Sequence, residues 1–275
     1  MEILNTLLNI EPNYIIIGLF VVFFTLEQIL NTPFKFSKRP KHFLHNFMFQ
    51  ILFVIANYFF AIFVVFSVEW LNGNSIALLY LFKIPFWSKL ILGVLLYDLT
   101  TYWIHRATHK IPLLWRFHRV HHSDTTLDSS TFFRFHPIEL IMVFGMGNIL
   151  AVVLFGTDLL SMALYYFILN IFVFFEHSNL HYPLLLDKTL GWIITTPNLH
   201  KVHHEQNQFY TDSNFADIFI LWDRLFGTYK YLPVKNINYG LKEFAEDKRQ
   251  TFQYLIRSPF INIKRITTDK VSDVE

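Results

Sequence analysis

Asp98 to His122 reads DLTTYWIHRATHKIPLLWRFHRVHH, and this stretch decides how the rest of the chain is read. His105 and His109 are spaced i, i+4; His118, His121 and His122 are spaced i, i+3, i+4. On an α-helix those offsets stack side chains on one face. Asp98 lies two turns before His105, near the same face. The second spacing returns in HKVHH as His200, His203 and His204. Three short motifs therefore hold eight of the 13 histidines. Neutral imidazole is the commonest protein ligand for mid-series transition metals. Eight exceed what one tetrahedral zinc needs and suit two metal ions.

Working outward, the 275-residue chain is 53% hydrophobic, 19% aromatic with 32 Phe, and only 16% charged. Soluble domains carry about 25% charged residues, so this balance reads as an integral membrane protein. A net charge of +2 is too small to imply a nucleic-acid partner. The absence of cysteine excludes disulfides, iron–sulfur clusters and thiol nucleophiles.

Five apolar stretches are expected to span the membrane: Tyr14 to Leu30, Phe43 to Val68, Leu90 to Trp103, Ile138 to Phe155 and Leu159 to Phe175. The first is read as a retained helix rather than a signal peptide, with Glu27 as a packed or snorkelling carboxylate. The loop with Lys35, Lys38, Arg39 and Lys41 is expected to be cytoplasmic. Residues 76–87 suit an interfacial or re-entrant piece. Gly156-Thr-Asp158 should close a membrane hairpin that returns the chain to the side bearing the first histidines. By this count all histidine groups face the cytoplasm.

Pro112 and Pro197 are placed as first helical residues, the latter behind a Thr196 cap. Helices are expected over Asp217 to Phe226, ended by Gly227, and over Glu243 to Ile256 at the surface. Isolated His42 and His45 are read as structural. His136, in RFHP, is a candidate beside the metal ligands. Carboxylates or amides that could orient ligand imidazoles are Asp98, Asp124, Glu176, Asn198 and Asp223, with Asp98 and Glu176 preferred.

HRATH, HRVHH and HKVHH, in that order and separated by a hydrophobic hairpin, resemble the fatty acid hydroxylase/sterol desaturase superfamily of membrane di-iron enzymes. LLWRFHRVHHS, RFHPIE, TPNLHKVHH and LWDRLFGTY look most like its bacterial sterol desaturase branch. The resemblance covers roughly Asp98 to Tyr229. It implies that His105, His109, His118, His121, His122, His200, His203 and His204 hold two iron ions. The histidine pair of EHSNLH, His177 and His181, joins that set by the same resemblance. It implies O2-dependent hydroxylation, or desaturation, of a lipid such as a fatty acyl chain or sterol-like lipid.

The chain has no dinucleotide loop and no cytochrome-like segment, so the electrons would come from a separate donor protein or reductase. Arg106, Lys110, Arg116 and Arg119 could dock it. The expected architecture is all-α: N-terminal membrane helices over 1–97, a catalytic domain over 98–230 with its hairpin at about 138–175, and a cytoplasmic tail over 231–275. The bundle would carry a cytoplasmic helical cap with a histidine-rich dimetal site. A metal transporter would instead place ligands at mid-membrane depth. A zinc hydrolase would need a glutamate beside its first histidine, where Arg106, Arg119 and Lys201 stand.

Overall fold

A computed structural model describes residues 11–30, 39–74 and 78–266. These residues are helical, with no strand among them. Lys35 and Lys38 of the basic loop lie outside the described residues, as do 75–77 and the chain beyond 266.

Six longer helices build the molecule: α1 (Pro12–Ile29), α2 (Arg39–Gly73), α3 (Phe86–Lys110), α4 (Pro112–His122), α5 (Pro137–Phe155) and α6 (Leu159–His177). Five short ones follow: α7 (Leu184–Lys188), α8 (Pro197–His203), α9 (Gln208–Thr211), α10 (Leu221–Leu225) and α11 (Phe252–Leu255). α3 packs on α4, α5 and α6, while α1 lies on α6 and α2 on α5.

Among the described residues, three helices are long and apolar enough to cross a membrane, Pro40–Gly73, Pro137–Phe155 and Leu159–His177, and these contain three of the five expected spans. α1 contributes a shorter apolar helix, Asn13–Ile29. The second half of α3 is too polar because it carries Asp98, His105 and His109 inward, with Arg106 lying over Trp103. Around α2, Leu44, Ile51, Ile55, Tyr58, Phe59, Ile62 and Phe66 face outward, a surface suited to lipid rather than water.

The hairpin forms as expected. Gly156 adopts the left-handed conformation (φ 72°) that ends α5, and the Asp158 carboxylate accepts from the Ser161 amide to start α6. α5 includes a π-helical turn, Leu140–Gly145, directly after Glu139. α3 and α6 approach closely at Gly93. A Cβ there would lie 2.3 Å from Ser161 Oγ. Gly93→Val is therefore expected to destabilise the protein by about 1–3 kcal/mol, read as a lowered melting temperature in detergent.

Glu27 is buried and accepts from the Ser129 and Asn179 amides, tying α1 to the loops below it. Two expected helices are corrected. Residues 217–220 are not helical, because their amides turn to Asp98 instead of to a helical turn; α10 begins only at Leu221, and Gly227 (φ 71°) follows its end. Glu243 to Ile256 breaks into 3₁₀ turns and α11. The Gln250 side chain donates to the Ser123 and Phe244 carbonyls, and Phe244 and Leu255 are buried against Phe49, Trp115 and Val120.

Candidate metal centre

Nine histidines converge in two adjoining groups. His105, His109, His118, His122 and His203 form one; His121, His177, His200 and His204 form the other. Within each group the nearest ring nitrogens lie within 4.8 Å of one another. The two H-x2-H-H motifs are used in opposite senses. In α4 the i, i+4 pair His118/His122 serves the first group while His121, about 100° around the helix, serves the second. In α8 the i, i+4 pair His200/His204 serves the second group and His203 crosses to the first. α3 completes the first group and the last residue of α6 completes the second.

Pro112 and Pro197 open α4 and α8 at the expected first positions, and Thr196 Oγ1 accepts from the Leu199 amide. Asn198 steadies that cap by donating to Asp187 at 2.9 Å.

The ring tautomers test whether these groups fit a metal. A carbonyl can only accept, so a ring nitrogen facing one must carry the proton. His105 Nδ1 faces the Phe215 carbonyl at 2.7 Å, His203 Nδ1 the Ser213 carbonyl at 2.7 Å, and His177 Nδ1 the Val173 carbonyl at 2.8 Å. His118 Nδ1 meets Glu139 Oε1 at 2.5 Å, and His109 Nδ1 meets Asp212 Oδ1 at 3.4 Å. The Nε2 atoms of neutral rings so held are left as lone pairs. His105 Nε2 and His118 Nε2 nevertheless face each other at 3.1 Å. In the second group His177 Nε2 lies 3.1 Å from His121 Nε2 and 3.0 Å from His200 Nε2. The Nε2 atoms of His109 and His203 are buried with no hydrogen-bond partner. Opposed, buried lone pairs are costly alone and are what a cation satisfies. The clusters fit a metal site.

Burial holds His118, His121, His122, His200, His203 and His204 below the ordinary imidazole value of 6.5, His118 to about 3. The folded values lie below the unfolded ones. Their contribution to stability is therefore present above about pH 6.5 and lost as the pH falls from there toward 3. Metal-free protein is expected to melt at progressively lower temperature below about pH 6.5 and to change little from these groups above it. Thermal unfolding across a pH series checks the sign.

The remaining expected site residues fall elsewhere. His181 joins neither group. α6 ends at His177, Ser178 is extended (ψ 137°), and the i, i+4 relation that would have brought His181 round is lost. It is exposed on a separate pocket beside Tyr182 and Tyr231. Glu176 is buried, with Oε2 3.6 Å from His200 Nδ1. Asp98 accepts from the Ile218 and Phe219 amides and from Trp222 Nε1 at 2.8 Å, holding the loop and not a ring. Asp223 accepts from the Phe215 and Ala216 amides, fixing the carbonyl that orients His105. Asp124 binds His42, Arg134, Asn46 and Thr131, and is thereby an anchor between α2 and the end of α4. His136 caps α5 through Nδ1 and gives Nε2 to the Ile256 carbonyl, so neither nitrogen is available as a ligand. The His45 Nδ1 accepts from the Phe252 amide.

Of the basic residues expected to face a partner, Arg119 is only 4% exposed and donates to the Ser258, Ile261 and Ile263 carbonyls. Lys110 is exposed beside Asp212, and Arg106 stacks on Trp103.

Three acids beside the rings have no periodic signal in the sequence: Glu139, Asp212 and Asp217. Asp217 Oδ1 lies 3.8 Å from His105 Nδ1. Burial, then Asp98 and Asp223, raises the Asp217 carboxyl to about 8. Trp115, 7% exposed, packs between His109 and His122 on one side and the Arg265 guanidinium on the other.

The imidazoles border a partly open cavity of about 420 Å³ lined by α1, α2, α3, α5 and α6. His105, His118, His121, His177 and His200 reach it, with Glu139, Glu176 and Asp217 beside them. Ile15, Ile16, Phe53, Val64 and Val65 line its remoter part. The volume suits a small-molecule site, which runs to about 300–1,000 Å³.

Residues 90–228 match the model of the fatty acid hydroxylase family. The chain belongs to this family. Human alkylglycerol monooxygenase is 32% identical over 170 residues, 58% of this chain and 35% of the relative. Ornithine lipid hydroxylase OlsE of Rhizobium tropici is 29% identical over 150 residues, 54% and 44%. A very-long-chain aldehyde decarbonylase of Oryza sativa subsp. japonica is 32% identical over 152 residues, 54% and 56%. The chain thus covers about a third of the alkylglycerol monooxygenase it matches. No solved structure matches it. Within the fatty acid hydroxylase match lie all nine converging histidines and Glu139, Glu176 and Asp217.

Proposed function

We propose that this protein is a membrane di-iron oxygenase that hydroxylates, or desaturates, a C–H bond of a lipid using O2 and electrons from a separate donor. One observation carries the reading: two adjoining sets of imidazole lone pairs open onto one end of an apolar cavity within a membrane bundle. The named relatives act on lipids by their names, which supports the substrate class. The first iron would be held by His105, His109, His118, His122 and His203, the second by His121, His177, His200 and His204. The catalytic domain is 98–230, after the N-terminal helices of 1–97, with 231–275 as a C-terminal segment. The metal side is cytoplasmic.

Bound iron supplies the activation of O2. The chain's own groups do the rest. The apolar wall of Phe53, Val64 and Val65 seats a hydrocarbon chain and excludes water from the oxidising end. Carbonyls, Glu139 and Asp212 keep five ligand rings in the tautomer that presents Nε2. Asp217, whose raised value leaves it able to carry a proton near neutral pH, can pass one at its carboxyl oxygen beside His105. Lys110 and Arg116 remain as docking residues for an acidic electron donor; Arg119 is withdrawn from that role because it is buried.

The test is metal analysis of detergent-purified protein expressed with ample iron, with lipid extracts of expressing cells searched for an added oxygen. About two irons per chain and an oxygenated lipid are expected. One tightly held zinc, no iron and no oxidised lipid would point to a hydrolase instead.

A further inference from the structure

The cavity wall is interrupted by polar side chains well away from the imidazoles. On α2, Asn57 is exposed where it lines the cavity, on the same helix face as Phe53, Phe60 and Val64. On α5, Asn148 is buried, and its Oδ1 accepts from the Tyr166 hydroxyl of α6 at 2.9 Å. Asn170 Nδ2 donates to the Tyr166 carbonyl, and Asn170 lines the cavity.

These groups share a depth. Asn57 stands eleven residues beyond Asn46, which bonds Asp124 in the cap; Asn148 stands eleven beyond Pro137, the first residue of α5; Tyr166 stands eleven before His177. At about 1.5 Å per residue, each lies about 16 Å from the histidine-bearing end.

The Asn57 amide makes no hydrogen bond among the described residues. An uncompensated amide inside a membrane span is costly and marks a functional group. The layer offers both donors and acceptors and carries no charge, since the acids lining the cavity, Glu139, Glu176 and Asp217, sit beside the imidazoles. A carboxylate or phosphate at that depth would require a paired cation. A hydroxyl or carbonyl oxygen would not.

We propose that the cavity selects a lipid chain bearing a neutral hydrogen-bonding oxygen remote from the carbon held at the imidazoles, in preference to a plain hydrocarbon chain. Asn57 and Asn148 are the groups that read it. This rests on the cavity being the substrate site of the proposed oxygenase.

The test uses the full chain in nanodiscs. Octadecane and its analogue with one mid-chain hydroxyl compete for binding, and the retained lipid is quantified by mass spectrometry. Wild type should retain the hydroxylated chain about tenfold over the plain one, the factor one well-made hydrogen bond supplies. Asn57→Leu, which removes no hydrogen bond within the protein, should bring the ratio near unity with bound metal unchanged. Asn148→Leu should do the same. Equal retention by wild type overturns the proposal, as does a preference that survives in both variants. Iron is assayed on the same samples. Selectivity without iron would sink the oxygenase reading and keep this one; iron without selectivity would do the reverse.

Discussion

His203→Ala should strip metal from the group formed by His105, His109, His118 and His122, although its sequence neighbours His200 and His204 belong to the other group. The reason is the helical phase of α8, which sends His203 across to α3 and α4. Removing partners that merely orient ligands costs about 10–100-fold in affinity or activity, and removing a ligand should exceed that. About half the metal should be lost on dialysis, with activity down at least about 100-fold. His121→Ala should strip the second group in the same way. His181→Ala is the contrast: it should keep full metal content, because that ring is exposed and outside both groups. Metal analysis of the three variants beside wild type decides the matter; loss in His181→Ala with retention in His203→Ala would contradict the assignment.

Asp98→Ala should be the most destabilising single change away from the histidines. Its carboxylate, 0% exposed, is the acceptor for two amides and an indole N–H, and removing it would leave three donors unpaired, the Ile218 amide buried and the Phe219 amide and Trp222 indole half-buried. Each orphan costs about 1–3 kcal/mol, so a total of about 3–5 kcal/mol is reasonable after local relaxation. The loop so released also carries the Phe215 carbonyl that fixes His105. Lower yield, a melting temperature depressed by many degrees and weakened metal binding should appear together. Asp98→Asn, which keeps an acceptor oxygen, should recover part of the stability. Unaltered melting of Asp98→Ala would show that the loop holds itself.

The histidine clusters were legible because helical spacing is a property of sequence. The i, i+4 pairs at 105/109, 118/122 and 200/204 could be paired on paper. Their allocation to two groups could not, since it depends on how α4 and α8 face one another. His181 shows the limit of spacing: its offset from His177 suits a helix, but the helix stops. Glu139, Asp212 and Asp217 are single acids with no period, carried to the rings only by tertiary packing. Asp98 looked like a partner for an imidazole and instead holds backbone one step further out, while Asp223 pairs locally, as its place in WDRLFG suggests. The hairpin and the caps at Thr196, Pro112 and Gly156 were readable because turn chemistry is local. The expected span over Leu90 to Trp103 falls short by composition because α3 runs on, in one piece, to carry His105 and His109.

Main-chain oxygens at Val173, Ser213 and Phe215 orient three of the nine rings. Such an acceptor survives any side-chain replacement at its own position. Ser213 could thus lose its hydroxyl, as in Ser213→Ala, and still supply its acceptor to His203. The vulnerability lies in length instead. Deleting one residue between Tyr210 and Ala216 would shift two acceptors at once and release His105 and His203 together, a lesion that no point substitution at those acceptor positions would reproduce.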